Sequence, residues 1–191
     1  MSNIKAIIFD CFGVIYPQAS GDFFERHKKL FNNDSSPLDG LNLKIDLGII
    51  SRKEFFIGLE SVTDIPAIVI QSEIDQELWP DTDLIAFIKE LNKSYKIGLL
   101  SNAGQEEIAI IFRDKVDALF DATAISYELG VVKPNTEIFV ACAKRLGVKP
   151  EDCLFIDDSM VNIEAAEKLG MKTLYYPSFG IIPDELNNLP K

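Results

Sequence analysis

Five short, largely apolar runs are the clearest pattern along the chain. They do not alternate with polar residues, which is typical of parallel strands that are buried on both faces. They occupy residues 6–9, 97–100, 122–125, 153–156 and 173–176. Apolar residues at helical spacing lie between these runs, in segments 81–93, 135–147 and 159–170. Strands that alternate with helices predict an α/β fold with a Rossmann-like, doubly wound parallel sheet.

One long connection interrupts this alternation, because residues 17–79 contain no strand-like run of comparable strength. An amphipathic helix is marked there by Phe23, Phe24, His27, Leu30 and Phe31. The capping-box pattern at residues 51–54 begins a second helix, and Pro66 fits the first turn of a third that runs to Trp79. Residues 32–40 have the composition of a loop.

These patterns predict two parts within one chain of 191 residues. Residues 1–16 and 80–191 form the α/β core, and residues 17–79 form an inserted helical subdomain. The length suits one ordinary domain with such an insertion.

Composition and charge narrow the class of protein. The chain is 47% hydrophobic and 26% charged, which is typical of a globular protein. Its net charge of −11 repels phosphate backbones and anionic lipids, so we expect no nucleic-acid or membrane partner. The first residues lack a signal-peptide pattern, and the three cysteines show no CxxC spacing, so we predict a cytoplasmic protein with reduced thiols. The oligomeric state stays open.

Polar residues follow four of these elements. Asp10 ends the first run, "SNAG" (101–104) ends the second, and "DDS" (157–159) ends the fourth, while "KPN" (133–135) opens a helix after the third. Open α/β sheets bind ligands beyond the carboxyl ends of their strands. We therefore expect these four segments to converge on one crevice.

Taken in their order along the chain, the four segments resemble the motifs of the haloacid dehalogenase-like hydrolase superfamily. They read "FDCFGV", "LLSNAG", "GVVKPNTEIF" and "FIDDSMVNIEAAEKLGM". The resemblance covers residues 4–16 and 81–176, and the residues between resemble the helical cap that many members insert after the first motif. It implies a Rossmann-like core with a cap that closes over the site.

The resemblance also implies a role for each motif. Asp10 is the expected nucleophile, which forms a covalent aspartyl intermediate. Ser101, Asn102 and Lys133 are expected to hold the oxygens of a phosphoryl group. The implied Mg²⁺ ligands are Asp10, the carbonyl of Phe12, Asp158 and, directly or through water, Asp157. Taken singly, these residues also suit plainer roles, such as a helix cap for Asp158 or Ser101 and a solvated Lys133.

Phe12 departs from the family's phosphatase pattern, in which a second aspartate acts as general acid two residues after the nucleophile. Family dehalogenases also lack this acid, but they work without metal and replace much of the acidic pair that this chain keeps at 157–158. His27 and Tyr16 are the two candidates for a substitute acid, although packing roles suit both better. Cys11 is expected to be a small buried residue rather than a redox switch.

The expected function is therefore Mg²⁺-dependent hydrolysis of a small phosphorylated metabolite through an aspartyl-phosphate. Without an acid at position 12, substrates with good leaving groups, such as sugar 1-phosphates, should react best. Two alternatives remain open at this point. One is a metal-independent 2-haloacid dehalogenase, and the other is a catalytically idle member that binds a phosphorylated ligand or a protein partner.

Overall fold

The computed structural model of the chain describes residues 4–113, 116–181 and 184–187. The strands are β1 (Ala6–Phe9), β2 (Lys96–Ser101), β3 (Ala122–Ile125), β4 (Cys153–Asp157) and β5 (Lys172–Tyr175). The helices are α1 (Ala19–His27), α2 (Ser36–Asp46), α3 (Arg52–Thr63), α4 (Ala67–Glu77), α5 (Thr82–Leu91), α6 (Gln105–Phe112), α7 (Val116–Leu119), α8 (Ser126–Leu129), α9 (Thr136–Leu146), α10 (Met160–Glu167) and α11 (Asp184–Asn187). A 3₁₀ turn, Pro150–Asp152, precedes β4.

The five strands form one parallel sheet in the order β3-β2-β1-β4-β5. Strands β2 and β3 are added on one side of β1, and strands β4 and β5 are added on the other side. The strand order therefore reverses at β1. Phe9 is in register with Leu99 of β2 and with Ile156 of β4. The residues that follow these three strands therefore meet at one edge of the sheet.

Both faces of the sheet are covered, which explains why its strands are apolar without alternation. Ile7 and Phe9 pack into one buried cluster, together with residues of α5 and α6. Ala6 and Ile8 point to the opposite cluster, which includes residues of α9 and α10. The predicted α/β class and doubly wound parallel sheet are thus confirmed.

Helices α1–α4 occupy the segment predicted as a helical insertion. A third buried cluster is made only of residues between 19 and 78, among them Phe23, Phe55 and Leu59. The predicted capping box is present, because Ser51 and Glu54 exchange side-chain and backbone hydrogen bonds at the start of α3. The division into a core of 1–16 and 80–191 and a cap of 17–79 stays a prediction, and its residues 1–3, 114–115, 182–183 and 188–191 lie outside the described structure.

Two predictions about the insertion were wrong. The first helix ends at His27 rather than continuing to Phe31, which reaches the buried cluster from the following turn, while Leu30 is exposed. Residues 32–40 are only partly a loop, because α2 begins at Ser36. Pro37 lies in the first turn of this helix. Proline and small polar residues suit a helix start as well as a loop, which explains the error.

Within the described ranges, no single helix has the length and apolar character required to cross a membrane. Helices α3 and α4 meet those criteria only as a pair, and the pair is bent by 114° at the break between them.

Candidate active site

The carboxyl ends of β1, β2 and β4 border a cavity of about 240 Å³ that lies between the sheet and the helical insertion. Its walls on the core side include Asp10, Asn102, Lys133 and Asp158. Its walls on the insertion side come from α1, α2, α3 and α4. The cavity is smaller than the roughly 300–1,000 Å³ of pockets for drug-sized ligands, so it suits a small molecule.

A buried ammonium group links two of the strand ends. The Nζ of Lys133 lies 2.6 Å from Oδ1 of Asp10 and 2.7 Å from Oδ2 of Asp157, and all three residues are buried. Burial lowers the pKa of Lys133, but Asp10 and Asp157 raise it more, so the pKa lies above its ordinary value. Lys133 is therefore a permanent cation in the site, not the solvated side chain that its sequence also allowed.

Asp10 is held in one orientation. Its Oδ1 accepts hydrogen bonds from the backbone N–H of Cys11 and from Lys133. Among the described residues no donor contacts Oδ2, which leaves one oxygen for the cavity. Burial raises the pKa of Asp10, Lys133 opposes this shift, and the charges of Asp157 and Asp158 add to it.

Asp157 is fully buried, and each of its two carboxylate oxygens accepts hydrogen bonds. Oδ1 accepts from the N–H of Ser159 and from Asn162, while Oδ2 accepts from Lys133 and from Asn162. The N–H at the start of α10 is therefore bound by Asp157, and not by Asp158 as a helix cap. Asp157 positions Lys133 and the loop before α10.

Replacing Asp157 by Asn is expected to lower the free energy of unfolding by about 3 kcal/mol, because it removes one partner of a buried ion pair. The midpoint of urea unfolding measures this effect. Asp152→Asn is the matched control, since its pair with Lys5 lies at the surface and exposed pairs contribute only about 0–1 kcal/mol. Equal losses in the two variants would contradict the anchoring role of Asp157.

Asp158 approaches the backbone of the loop after β1 because Gly13 has no side chain. Gly13 has φ +89°, and a Cβ there would overlap the Asp158 carboxylate. The amide of Gln18 donates to the carbonyl of Phe12 at 2.9 Å and also hydrogen-bonds Asp158. Since one amide contacts both groups, the Phe12 carbonyl and Asp158 face the same point.

These oxygens have the chemistry of a divalent cation site. Carboxylate oxygens of Asp10, Asp157 and Asp158 lie within 4.8 Å of one another. Three carboxylates against the single charge of Lys133 leave two negative charges uncompensated beside the cavity. Burial and the charge of Asp157 also raise the pKa of Asp158. Hard oxygen donors and this charge deficit fit Mg²⁺.

Ser101 and Asn102 lie at the end of β2 but have different surroundings. Asn102 lines the cavity, and its side-chain amide both accepts from the N–H of Lys133 at 2.7 Å and donates to its carbonyl at 3.2 Å. Ser101 is fully buried beside Cys11 and does not line the cavity. Neither residue caps α6, whose N-cap is Gly104.

The two candidates for a substitute acid lie away from the cavity. His27 hydrogen-bonds Glu73 at 3.0 Å and stacks on Phe23. The hydroxyl of Tyr16 donates to the carbonyl of Ile111 at 2.8 Å. The packing roles expected for both residues are thus confirmed.

Cys11 is fully buried, as expected from the sequence. Its pKa is raised, chiefly by burial and then by the charge of Asp10. The thiol is therefore held in its unreactive, protonated form.

Several polar residues of the cavity were missed by sequence reasoning: Gln18, Asn42, Asp46, Arg52, Glu107 and Asn162. A signal existed for two of them. Glu107 follows "SNAG" at the capping-box position, and its carboxylate accepts from the N–H of Gly104. Asn162 is a polar residue in the first turn of the helix after the acidic pair. The others come from the insertion, whose orientation toward the core has no sequence pattern.

A family model described as haloacid dehalogenase-like hydrolase matches residues 4–170. A glyceraldehyde 3-phosphate phosphatase of Methanopyrus kandleri is 34% identical over 51% of this chain and 43% of its own length. The chain thus spans less than half of that relative. A D-ribitol-5-phosphate phosphatase of Bacteroides thetaiotaomicron is 29% identical over 89% of this chain and 90% of its own length.

A solved structure is similar over most of the chain. It is a HAD-family enzyme of Bacteroides thetaiotaomicron in complex with magnesium and inorganic phosphate. The two proteins share 28% sequence identity with a TM-score of 0.70, over 91% of this chain and 94% of the other.

Proposed function

Because the chain belongs to the haloacid dehalogenase-like hydrolase family, we propose that it is a Mg²⁺-dependent phosphatase that forms an aspartyl-phosphate on Asp10. The observation that carries this proposal is the convergence of Asp10, Asp157 and Asp158 within 4.8 Å beside the buried Lys133. The names of the two phosphatase relatives, and the magnesium and phosphate bound by the similar solved structure, give it independent support.

In this proposal the Oδ2 of Asp10 attacks phosphorus, because Oδ1 is already bound by Cys11 and Lys133. Lys133 and Asn102 line the cavity next to Asp10, where they neutralise and orient the phosphoryl oxygens. Ser101 belongs to the same proposed group, although it is fully buried and does not line the cavity. Water then hydrolyses the aspartyl-phosphate and releases phosphate.

The chain's own residues also supply the proposed metal site. Asp10, Asp158 and the carbonyl of Phe12 would hold Mg²⁺, with Asp157 close enough to take part directly or through water. When bound, the ion supplies the positive charge that polarises a phosphoryl group. The two unbalanced negative charges of the site would otherwise repel a phosphate ester.

The lining of the cavity supports a small, polar substrate. Polar side chains of the insertion, including Asn42 and Arg52, face the cavity beside the rings of Phe55 and Phe56. Arg52 is buried and already paired with Asp75, so it offers its remaining N–H groups rather than a free charge. We propose that the insertion acts as a cap, which excludes water and selects a small phosphorylated metabolite.

Phe12 supports a further part of the proposal. Positioned acid–base groups typically contribute about 10²–10⁴-fold to a rate, and position 12 offers none. Unless the insertion or a water supplies the proton, esters with good leaving groups, such as sugar 1-phosphates or aryl phosphates, should be preferred over simple alkyl phosphates.

Phe12 also favours one rival, a metal-independent 2-haloacid dehalogenase, since halide departs without a proton. The same residue favours an idle protein that binds phosphate without turnover. Retention of the whole acidic cluster weighs against both.

Release of phosphate from a panel of phosphorylated metabolites, and of halide from chloroacetate, tests these possibilities. We expect phosphate release with Mg²⁺ and a loss of at least about 10²-fold when EDTA removes the metal. Halide release that persists in EDTA would support the dehalogenase. Capture of a beryllium fluoride phosphate mimic at Asp10 without turnover of any ester would support the idle protein.

A further inference from the structure

We propose that Asp46, at the end of α2, is the general acid that protonates the leaving group, in place of the carboxyl that Phe12 lacks. This inference rests on the proposed phosphatase function and adds one catalytic residue to it. Asp46 lines the same cavity as Asp10 and Phe12 but enters from the opposite, insertion side. A substrate whose phosphoryl group meets Asp10 would therefore extend its leaving group toward Asp46.

The position of Asp46 is fixed by a contact between the insertion and the core. The hydroxyl of Ser126 donates to the Asp46 carbonyl at 2.5 Å and accepts from the N–H of Ala103 at 2.9 Å. Ile45, the preceding residue, packs against Gly104. The end of α2 therefore rests directly on the loop that follows β2.

The side chain of Asp46 differs from those of Glu107 and Asp10 in its hydrogen bonding. Glu107 accepts from the N–H of Gly104 at 2.8 Å, and Asp10 is held by Cys11 and Lys133. Among residues 4–113, 116–181 and 184–187, none donates a hydrogen bond to the Asp46 carboxyl. A partly buried carboxyl without a donor is free to exchange a proton with a bound ligand.

The charged groups around Asp46 support this role. Burial raises its pKa to about 7, the charge of Glu107 adds to the shift, and Lys133 opposes it. Arg52 also lines the cavity, and its positive charge opposes the rise that burial causes in the pKa of Glu107. A substantial fraction of Asp46 is thus protonated near neutral pH, which suits a group that must give up a proton and take it back.

The chemistry balances over two steps. As Asp10 forms its bond to phosphorus, the bond from phosphorus to the leaving oxygen breaks, and the proton of Asp46 passes to that oxygen to give the alcohol. The Asp46 carboxylate then takes a proton from water as the water oxygen bonds to phosphorus. The bond from phosphorus to Asp10 breaks, which releases phosphate and restores the acid.

The test compares an aryl phosphate, p-nitrophenyl phosphate, with an alkyl phosphate, ethyl phosphate. For Asp46→Asn we expect kcat/KM on ethyl phosphate to fall about 10²-fold, because this ratio reports the step in which the alcohol departs and an alkoxide leaves poorly without a proton. We expect kcat/KM on p-nitrophenyl phosphate to change less than about threefold, since this phenolate leaves unaided. On both esters kcat can also fall, because hydrolysis of the aspartyl-phosphate is a step that the two substrates share. The matched control is Asp39→Asn, an exposed acid on the same helix, which should alter neither rate.

Asp46→Glu keeps a carboxyl group and should recover part of the ethyl phosphate activity, which separates proton transfer from a folding defect. Equal losses of kcat/KM on both esters in Asp46→Asn, or no loss on either, would overturn the acid role and leave the phosphatase proposal intact. Failure of the unmodified protein to hydrolyse either ester with Mg²⁺ would overturn both proposals.

Discussion

Asp10→Asn is expected to lower the turnover of every phosphorylated substrate by at least about 10⁴-fold, the scale that follows loss of a covalent nucleophile. The amide cannot attack phosphorus, yet its oxygen can still accept from Cys11 and Lys133, as Oδ1 of Asp10 does. Because Asp10 is also a partner of the buried Lys133, the free energy of unfolding should fall by about 3 kcal/mol, as in Asp157→Asn. Turnover is therefore compared at a temperature where the variant is fully folded, so that the loss reflects chemistry. Steady-state phosphate release with Mg²⁺ measures it.

Acid quenching during turnover, followed by peptide mass analysis, provides a direct check. The peptide that contains Asp10 should gain one phosphoryl group in the unmodified protein and none in the variant. Asp22→Asn, an exposed acid on α1, is the control and should retain both turnover and labelling. Substantial turnover by Asp10→Asn would remove the aspartyl-phosphate from the mechanism.

Gly13→Ala is expected to reduce activity about 10²-fold or more, because a Cβ at this position would overlap the Asp158 carboxylate and displace a proposed metal ligand. The variant should also need more Mg²⁺ for half-maximal activity, and titration with the metal measures this. Its positive φ of +89° adds strain of order 1–3 kcal/mol for any residue other than glycine.

Gly130→Ala separates these two effects. Gly130 also has a positive φ, +67°, but a Cβ there meets nothing within 4 Å. We expect it to lose stability without any change in the Mg²⁺ requirement. If both variants need the same Mg²⁺ concentration as the unmodified protein, the space that Gly13 leaves for Asp158 is not required for metal binding.

The sequence predicted the sheet and the residues at its carboxyl edge well, because both depend on local signals. A fully buried parallel strand requires an uninterrupted apolar run, and Asp10 and Asp157 directly follow such runs. Once the strands are parallel, their ends must meet at one edge. The proximity of Lys133 to both carboxylates follows from the same topology.

The insertion side of the cavity was not predictable in the same way. Asp46 ends a helix whose start has the composition of a loop, and nothing near it in the sequence marks it as functional. Its place in the cavity depends on Ser126, which is 80 residues away along the chain. Long-range contacts between a helical unit and a sheet leave no periodic trace in one sequence.

The separate apolar cluster of the insertion has a consequence for how this protein can evolve. Phe55, Phe56 and Ile74 belong to that cluster and also face the cavity, whereas the strand that carries Asp10 packs into other clusters. If this cavity is the substrate pocket, as we propose, changes that enlarge or reshape it can be absorbed within the insertion. Under that proposal, new substrate preferences can arise from substitutions in the insertion while Asp10, Lys133 and Asp157 keep their geometry at the edge of the sheet.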